Sequence, residues 1–201
     1  MRIASTALLA AAALGAGACA STSMSSTWQD PTAQPISVAG KKAAAVVMSP
    51  NAGQRRAAET SVADEITQRG LQTIPSYVLL PEGSARDTAQ ARRVLQEAGI
   101  EVVVIMRVTD EEQRTNYTPG TAYYGSTWGY WGYGWGAAYS PGYVTTDKIV
   151  SVETLIFSVT QGKLIWAGQS ETTNPSNIDS FIQELVHVVG NEVRKSGLLV
   201  P

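Results

Sequence analysis

Few side chains in this chain have types and spacing suited to chemistry, and the most informative is its single cysteine, Cys19. It follows Ala16-Gly17-Ala18, three small residues of the kind a signal peptidase requires. Ahead of them lie a positive start, Met1-Arg2-Ile3, and an apolar stretch from Ala7 to Ala16. Residues 1–18 therefore read as an export signal that is removed, and they are too short for a span, which needs roughly 20 apolar residues. The chemistry expected at Cys19 is lipidation, with diacylglycerol on the sulfur and an acyl group on the new amino terminus. Beyond that covalent N-acyl diacylglycerol lipid, no cofactor is expected. An unpaired thiol in an oxidising compartment is a liability unless it is capped. Ala16-Gly17-Ala18 equally fits the ordinary signal peptidase, so the residues leave open which enzyme cuts before Cys19. Ala20 and Ser21 follow it, without the aspartate that retains lipoproteins in the inner membrane. The expected address is the outer membrane, on its periplasmic face.

The remaining inventory is poor for catalysis. One histidine, His187, and no Asp/His cluster leave no common metal site and no Cys-His or Ser-His dyad. Gly132, Gly134 and Gly136 lie among aromatics, not between a strand and a helix, so they do not form a phosphate loop. Glu153 and Glu171 are the one pair of carboxylates worth testing for glycoside chemistry. A two-residue turn at Gln161-Gly162 would put them on opposite faces of a hairpin. Glu153 then shares the expected core face with Leu155 and Phe157, and needs Arg107, Arg55 or Arg56 as an ionic partner. Asp110-Glu111-Glu112 reads as a solvated strand end. The chain is not expected to be an enzyme. Its formal net charge of -2 and the absence of a basic run argue against nucleic acid as a partner.

The second concentration of chemistry lies in residues 117–143. Ten of the fifteen Trp, Tyr and Phe residues and seven of the 18 glycines fall there, more aromatic surface than a core needs. Tyr and Trp combine a large apolar face with a polar tip, as at protein interfaces and membrane boundaries. The candidate contact residues are Tyr123, Tyr124, Trp128, Tyr130, Trp131, Tyr133, Trp135 and Tyr139. Four readings stay open: a disordered tip, a protein-binding or self-association hairpin, insertion at a lipid headgroup layer, and stacking on peptidoglycan or another glycan. A nucleic-acid platform would also need a basic groove, and no Lys or Arg lies between Arg114 and Lys148.

The elements that must carry these residues follow from periodicity. Residues 19–40 read as a lipidated cysteine and flexible tether, and residues 41–200 as a single domain with one core. Lys42 to Met48 is a buried strand, followed by a helix from an Asn51 cap to Gln68 that Gly70 stops. Arg55 and Glu59 would form an i,i+4 pair on its surface. Leu71 to Leu80 reads as a strand interrupted or edged by Pro75, and Ala91, Val94, Leu95 and Ala98 mark a second helix. Ile100 to Val108 is the strongest strand and should be central. Two antiparallel strands, 144–159 and 163–173, follow the insert. A last helix follows, with Asn177 or Ser176 near its cap and Ile178, Phe181, Ile182, Leu185 and Val189 on one stripe. The fold class expected is α/β (α+β): a mixed sheet of about five strands in β-α-β-α-β-β-β-α order, with helices mainly on one face.

Val152-Glu153-Thr154, Gly162-Lys163-Leu164-Ile165-Trp166-Ala167-Gly168 and Ser170-Glu171-Thr172 together form a pattern. It resembles one in uncharacterised envelope lipoproteins of Gram-negative bacteria, where a V-E-T strand turns through G-K-L-x-W into a strand ending S-E-T. The order of elements is also similar to the TolB amino-terminal domain and to curli-secretion CsgG lipoproteins. The resemblance implies an envelope lipoprotein of unassigned role, not an enzyme. CsgG-like subunits form a ring and send extended hairpins into the membrane, whereas this chain shows one candidate hairpin, with a glycine-rich tip in place of long alternating spans.

Overall fold

A computed structural model describes residues 21–80, 88–118 and 143–200. The architecture is mixed α+β, with a six-stranded mixed sheet as its centre. Strand β1 is Ser21–Gln29, β2 Ile36–Ser37, β3 Lys42–Met48, β4 Gln72–Pro75, β5 Ile100–Thr118, β6 Tyr143–Ser158, β7 Lys163–Thr173 and β8 Leu199–Val200. Helix α1 is Ala52–Gln68, α2 Ser76–Leu79, α3 Thr88–Glu97 and α4 Ile178–Lys195. The large sheet runs β1-β7-β6-β5-β3-β4, while β2 and β8 pair separately in parallel. β3 is parallel to β4 and β5, and the remaining neighbours in the large sheet are antiparallel.

Local signals act where the sequence places them. The Asn51 side chain accepts from Gln54 N at 3.0 Å, and Asn177 accepts from Ser180 N at 3.0 Å, capping α1 and α4. The alternation of β3 divides two apolar clusters. Ala43 and Ala45 join Val102, Val104, Met106, Val152 and Ile156 beneath α1 and α4, whose Val62, Leu185 and Val189 close the larger core. Ala44 points the other way, with Ile100 and Val103, toward Leu79 and the Leu95 and Ala98 region. The two long helices thus cover one face and the shorter α2 and α3 the other.

Several expectations are corrected. The tether does not span 19–40, because Ser21–Gln29 is an edge strand paired along β7. Serine and threonine at six of its nine positions gave no apolar period, and the partner strand supplies the order. The strand from Leu71 ends at Pro75, where the chain turns into α2. The β6–β7 hairpin has no two-residue turn. A turn at 159–162, with Gly162 at φ 67°, and a bulge between Ile156 and Phe157 shift the register. Ile156 faces Trp166 and Thr154 faces Gly168, so Val152, Thr154 and Ile156 form the deep face instead of Leu155 and Phe157. Glu59 is not on the surface either but fully buried.

The loop after β1 is fixed by Asp30. Its carboxylate accepts from Thr32 N at 2.6 Å and Thr32 Oγ1 at 2.8 Å, and lies 2.9 Å from Lys163 Nζ. The Lys163 hydrogen bond, then those of Thr32, hold this carboxyl down from 3.8 to about 2. A folded-state value below the unfolded one means stabilisation present above pH ~4 and lost as pH falls through ~2. Asp30→Asn is expected to flatten the thermal midpoint between pH 4 and pH 2 relative to wild type. Parallel midpoint curves for the two proteins across that window would refute the assignment.

Candidate functional site

The described part of the candidate site is the stem of a long hairpin and the end of the domain from which it rises. β5 and β6 pair from Val102↔Ser158 to Thr118↔Tyr143, well past the neighbouring strands. β3 ends opposite Arg107, and β7 ends with Thr173 opposite Ile149. From the row Glu112↔Ile149 six further pairs continue to Thr118↔Tyr143, a free ribbon of roughly 20 Å. The acidic run is therefore inside a strand, not at its end. A bulge between Val108 and Asp110 re-aims β5 where it leaves the sheet.

Polar chemistry fixes the root of this ribbon. Asn174, at φ 51°, continues the ladder that β7 abandons: its N donates to Lys148 O at 2.7 Å, and its Oδ1 accepts from Lys148 N at 2.8 Å. The Asp147 carboxylate accepts from Asn174 Nδ2 and Asn116 Nδ2, both at 2.8 Å. Lys148 Nζ lies 3.1 Å from Glu111, and Arg114 3.0 Å from Glu112. These pairs are exposed, and each contributes a fraction of a kcal/mol.

The same end of the domain carries the start of the described chain. Ser21 pairs with Thr173, which pairs with Ile149, which pairs with Glu112. The free ribbon begins in that row. Thr22 N donates to Glu184 Oε1 of α4 at 2.8 Å, holding the start of β1 to the fold. Cys19 is two residues earlier, within about 7 Å of extended chain. Cys19 itself, and Tyr123, Tyr124, Trp128, Tyr130, Trp131, Tyr133, Trp135 and Tyr139, lie outside the described residues.

The tests for catalysis come out differently in detail from their expectation. The observed register puts Glu153 opposite Gln169 and Glu171 opposite Ser151, so the two carboxylates share one face. Opposite faces no longer argue against their pairing. Glu153 is bound to Arg107 at 2.8 Å, the expected structural ion pair, and neither glutamate lines a large cavity. His187 is on the exposed side of α4, with its ring nitrogen 3.0 Å from Asn191 Nδ2. Among the described residues no group of three His, Cys, Asp or Glu is placed to hold a metal, and no helix is long and apolar enough to cross a membrane.

Among the described residues, two cavities line the seam between α1 and α4, a feature with no signal in the sequence beyond apolar periodicity. One, of about 350 Å³, lies at the helix C-termini, between Ile66, Leu71, Val104, Val189 and Val193. The other, of about 410 Å³, lies at the helix N-termini, over Val47, Met106, Val152 and Leu185.

No family model matches the chain, and no curated protein does. Among solved structures, a PelC dodecamer from Paraburkholderia phytofirmans is 11% identical, covering 85% of this chain and 95% of that one, with a TM-score of 0.47. A PelC variant from the same organism is 13% identical, covering 82% and 94%, also at 0.47. Lipoprotein GNA1162 from Neisseria meningitidis is 18% identical, covering 77% and 99%, with a TM-score of 0.40.

Proposed function

We propose that this chain is a lipid-anchored outer-membrane lipoprotein facing the periplasm, a non-enzymatic binding or assembly component whose contact is the aromatic hairpin. The observation that carries this reading is the shared end. The strand that begins two residues after Cys19 and the ribbon leading to the aromatic insert leave the sheet from one row. A lipid on Cys19 would set the insert at the bilayer, and self-association or an envelope protein would be met there. The same placement favours a second reading, in which the Tyr and Trp side chains settle in the headgroup layer.

Intact mass and fractionation test the anchor. Wild type is expected in outer-membrane fractions as a chain beginning at an acylated Cys19, and Cys19→Ser in the soluble fraction. An unmodified soluble wild type would end the anchor reading. Deleting residues 118–142 from the lipidated protein is expected to leave the domain folded and to abolish cross-links to envelope proteins. Unchanged cross-links would refute the contact role, while loss of sedimentation with peptidoglycan would transfer that role to a glycan.

A further inference from the structure

At the end of the domain that carries Ser21 and the hairpin root, apolar side chains are exposed around one opening. Met48 at the end of β3, Val108 at the β5 bulge and Ile178 at the start of α4 are 54%, 48% and 42% exposed. All three line the 410 Å³ cavity, whose inner wall is Met106, Val152 and Leu185. Water-facing methionine and isoleucine at the mouth of an apolar pit are not explained by the domain's own packing. Single exposed apolar residues are ordinary, but a group around a cavity marks a contact surface. Their position is set by topology. β3 ends here, the parallel β5 is re-aimed here by its bulge, and α1 and α4 both begin here, so every element of the cluster opens toward the hairpin end.

We propose that this end of the domain docks on a lipid leaflet, with Met48, Val108 and Ile178 entering the acyl region and the cavity behind them accepting a lipid chain. The proposal rests on the anchor reading for its orientation, because Cys19, within about 7 Å of Ser21, brings this end to the membrane. A protein partner could cover the same rim, but the cluster lies where the anchor would hold it against lipid. Charge points to a zwitterionic surface. Near the opening Lys148 is paired with Glu111, Arg107 with Glu153 and Arg114 with Glu112, so these three cations offer little net charge to anionic headgroups. Docking is therefore apolar and little affected by salt.

The single native cysteine makes the test direct. In a Cys19→Ser chain, an environment-sensitive fluorophore is placed at Met48→Cys, Ile178→Cys or, as control, Val200→Cys at the opposite end of the fold. A histidine tag in place of residues 1–18 tethers each protein to phosphatidylcholine vesicles containing a nickel-chelating lipid. Tethering supplies membrane proximity without acylation, so failure here is separate from failure of lipidation. The expected result is a blue shift at positions 48 and 178, persisting in about 0.5 M salt, where the Debye length is roughly half its physiological value, with none at 200. Absence of a shift at 48 and 178, or an equal shift at 200, would overturn the proposal. Circular dichroism of each labelled chain confirms folding, and Met48→Asp in the Ile178→Cys chain is expected to abolish the shift at 178.

Discussion

Trp166→Ala is expected to be among the most damaging substitutions in the domain, costing about 3–5 kcal/mol in urea denaturation of the Cys19→Ser chain. Trp166 is 1% exposed, faces Ile156 across the β6–β7 ladder, and lies in the larger core. Its indole ring is laid across Gly168, two residues along the same face. A Cβ at Gly168 would fall on Trp166 Cη2 and within 2.6 Å of Met24 Cε. Glycine is thus required there by space, since its backbone needs no left-handed conformation. Gly168→Ala should cost about 1–3 kcal/mol by overpacking. The two sites are coupled, and in a Trp166→Leu background the cost of Gly168→Ala should fall substantially. Additivity within about 0.5 kcal/mol would show that the ring does not occupy that space. The Trp166-Ala167-Gly168 spacing of this chain is accounted for by this contact.

Glu59→Ala is expected to cost at least about 3 kcal/mol, because it strands buried donors at roughly 1–3 kcal/mol each. The carboxylate is fully buried in α1. Oε1 accepts from Ser76 Oγ at 2.8 Å and Val47 N at 3.2 Å, and Oε2 accepts from Tyr77 N at 2.9 Å. The need is topological. β4 stops at Pro75 opposite Ala45, so the Val47 amide has no strand on that side, and α2 begins there with unbonded N–H groups. One carboxylate serves both ends. Glu59→Gln should fall between wild type and alanine, since its amide nitrogen cannot accept from Tyr77 N. A Glu59→Ala midpoint within 1 kcal/mol of wild type (about the net worth of one hydrogen bond) would refute this role, and loss of amide-exchange protection at Val47 would localise it.

The comparison of these residues with their reading in the sequence separates two kinds of information. Asn51 and Asn177 cap their helices as expected because capping depends on atoms three residues away. The β-branched run of β5 and the apolar stripe of α4 likewise fixed which segments would be central or helical, since periodicity states which faces must leave water. The mixed α+β class followed from that alone, whereas Cys19 and the aromatic insert were nominated by the export-signal pattern and by composition.

Only the tertiary structure decided how those segments meet. A single extra residue in β7, Ile165, moved the register and reversed the deep face of β6, because side chains alternate with a period of two. β1 formed from a Ser/Thr sequence without apolar pattern, since an edge strand is held by a partner's backbone groups more than by its own side chains. Glu59 looked like half of a surface pair, and its burial depends on where β4 ends 16 positions later in the chain, at Pro75. The common end of Ser21, ribbon and apolar rim depends on five strands and two helices at once. Short-range chemistry is written in neighbouring residues, whereas the direction in which a strand leaves a sheet exists only after its neighbours have paired.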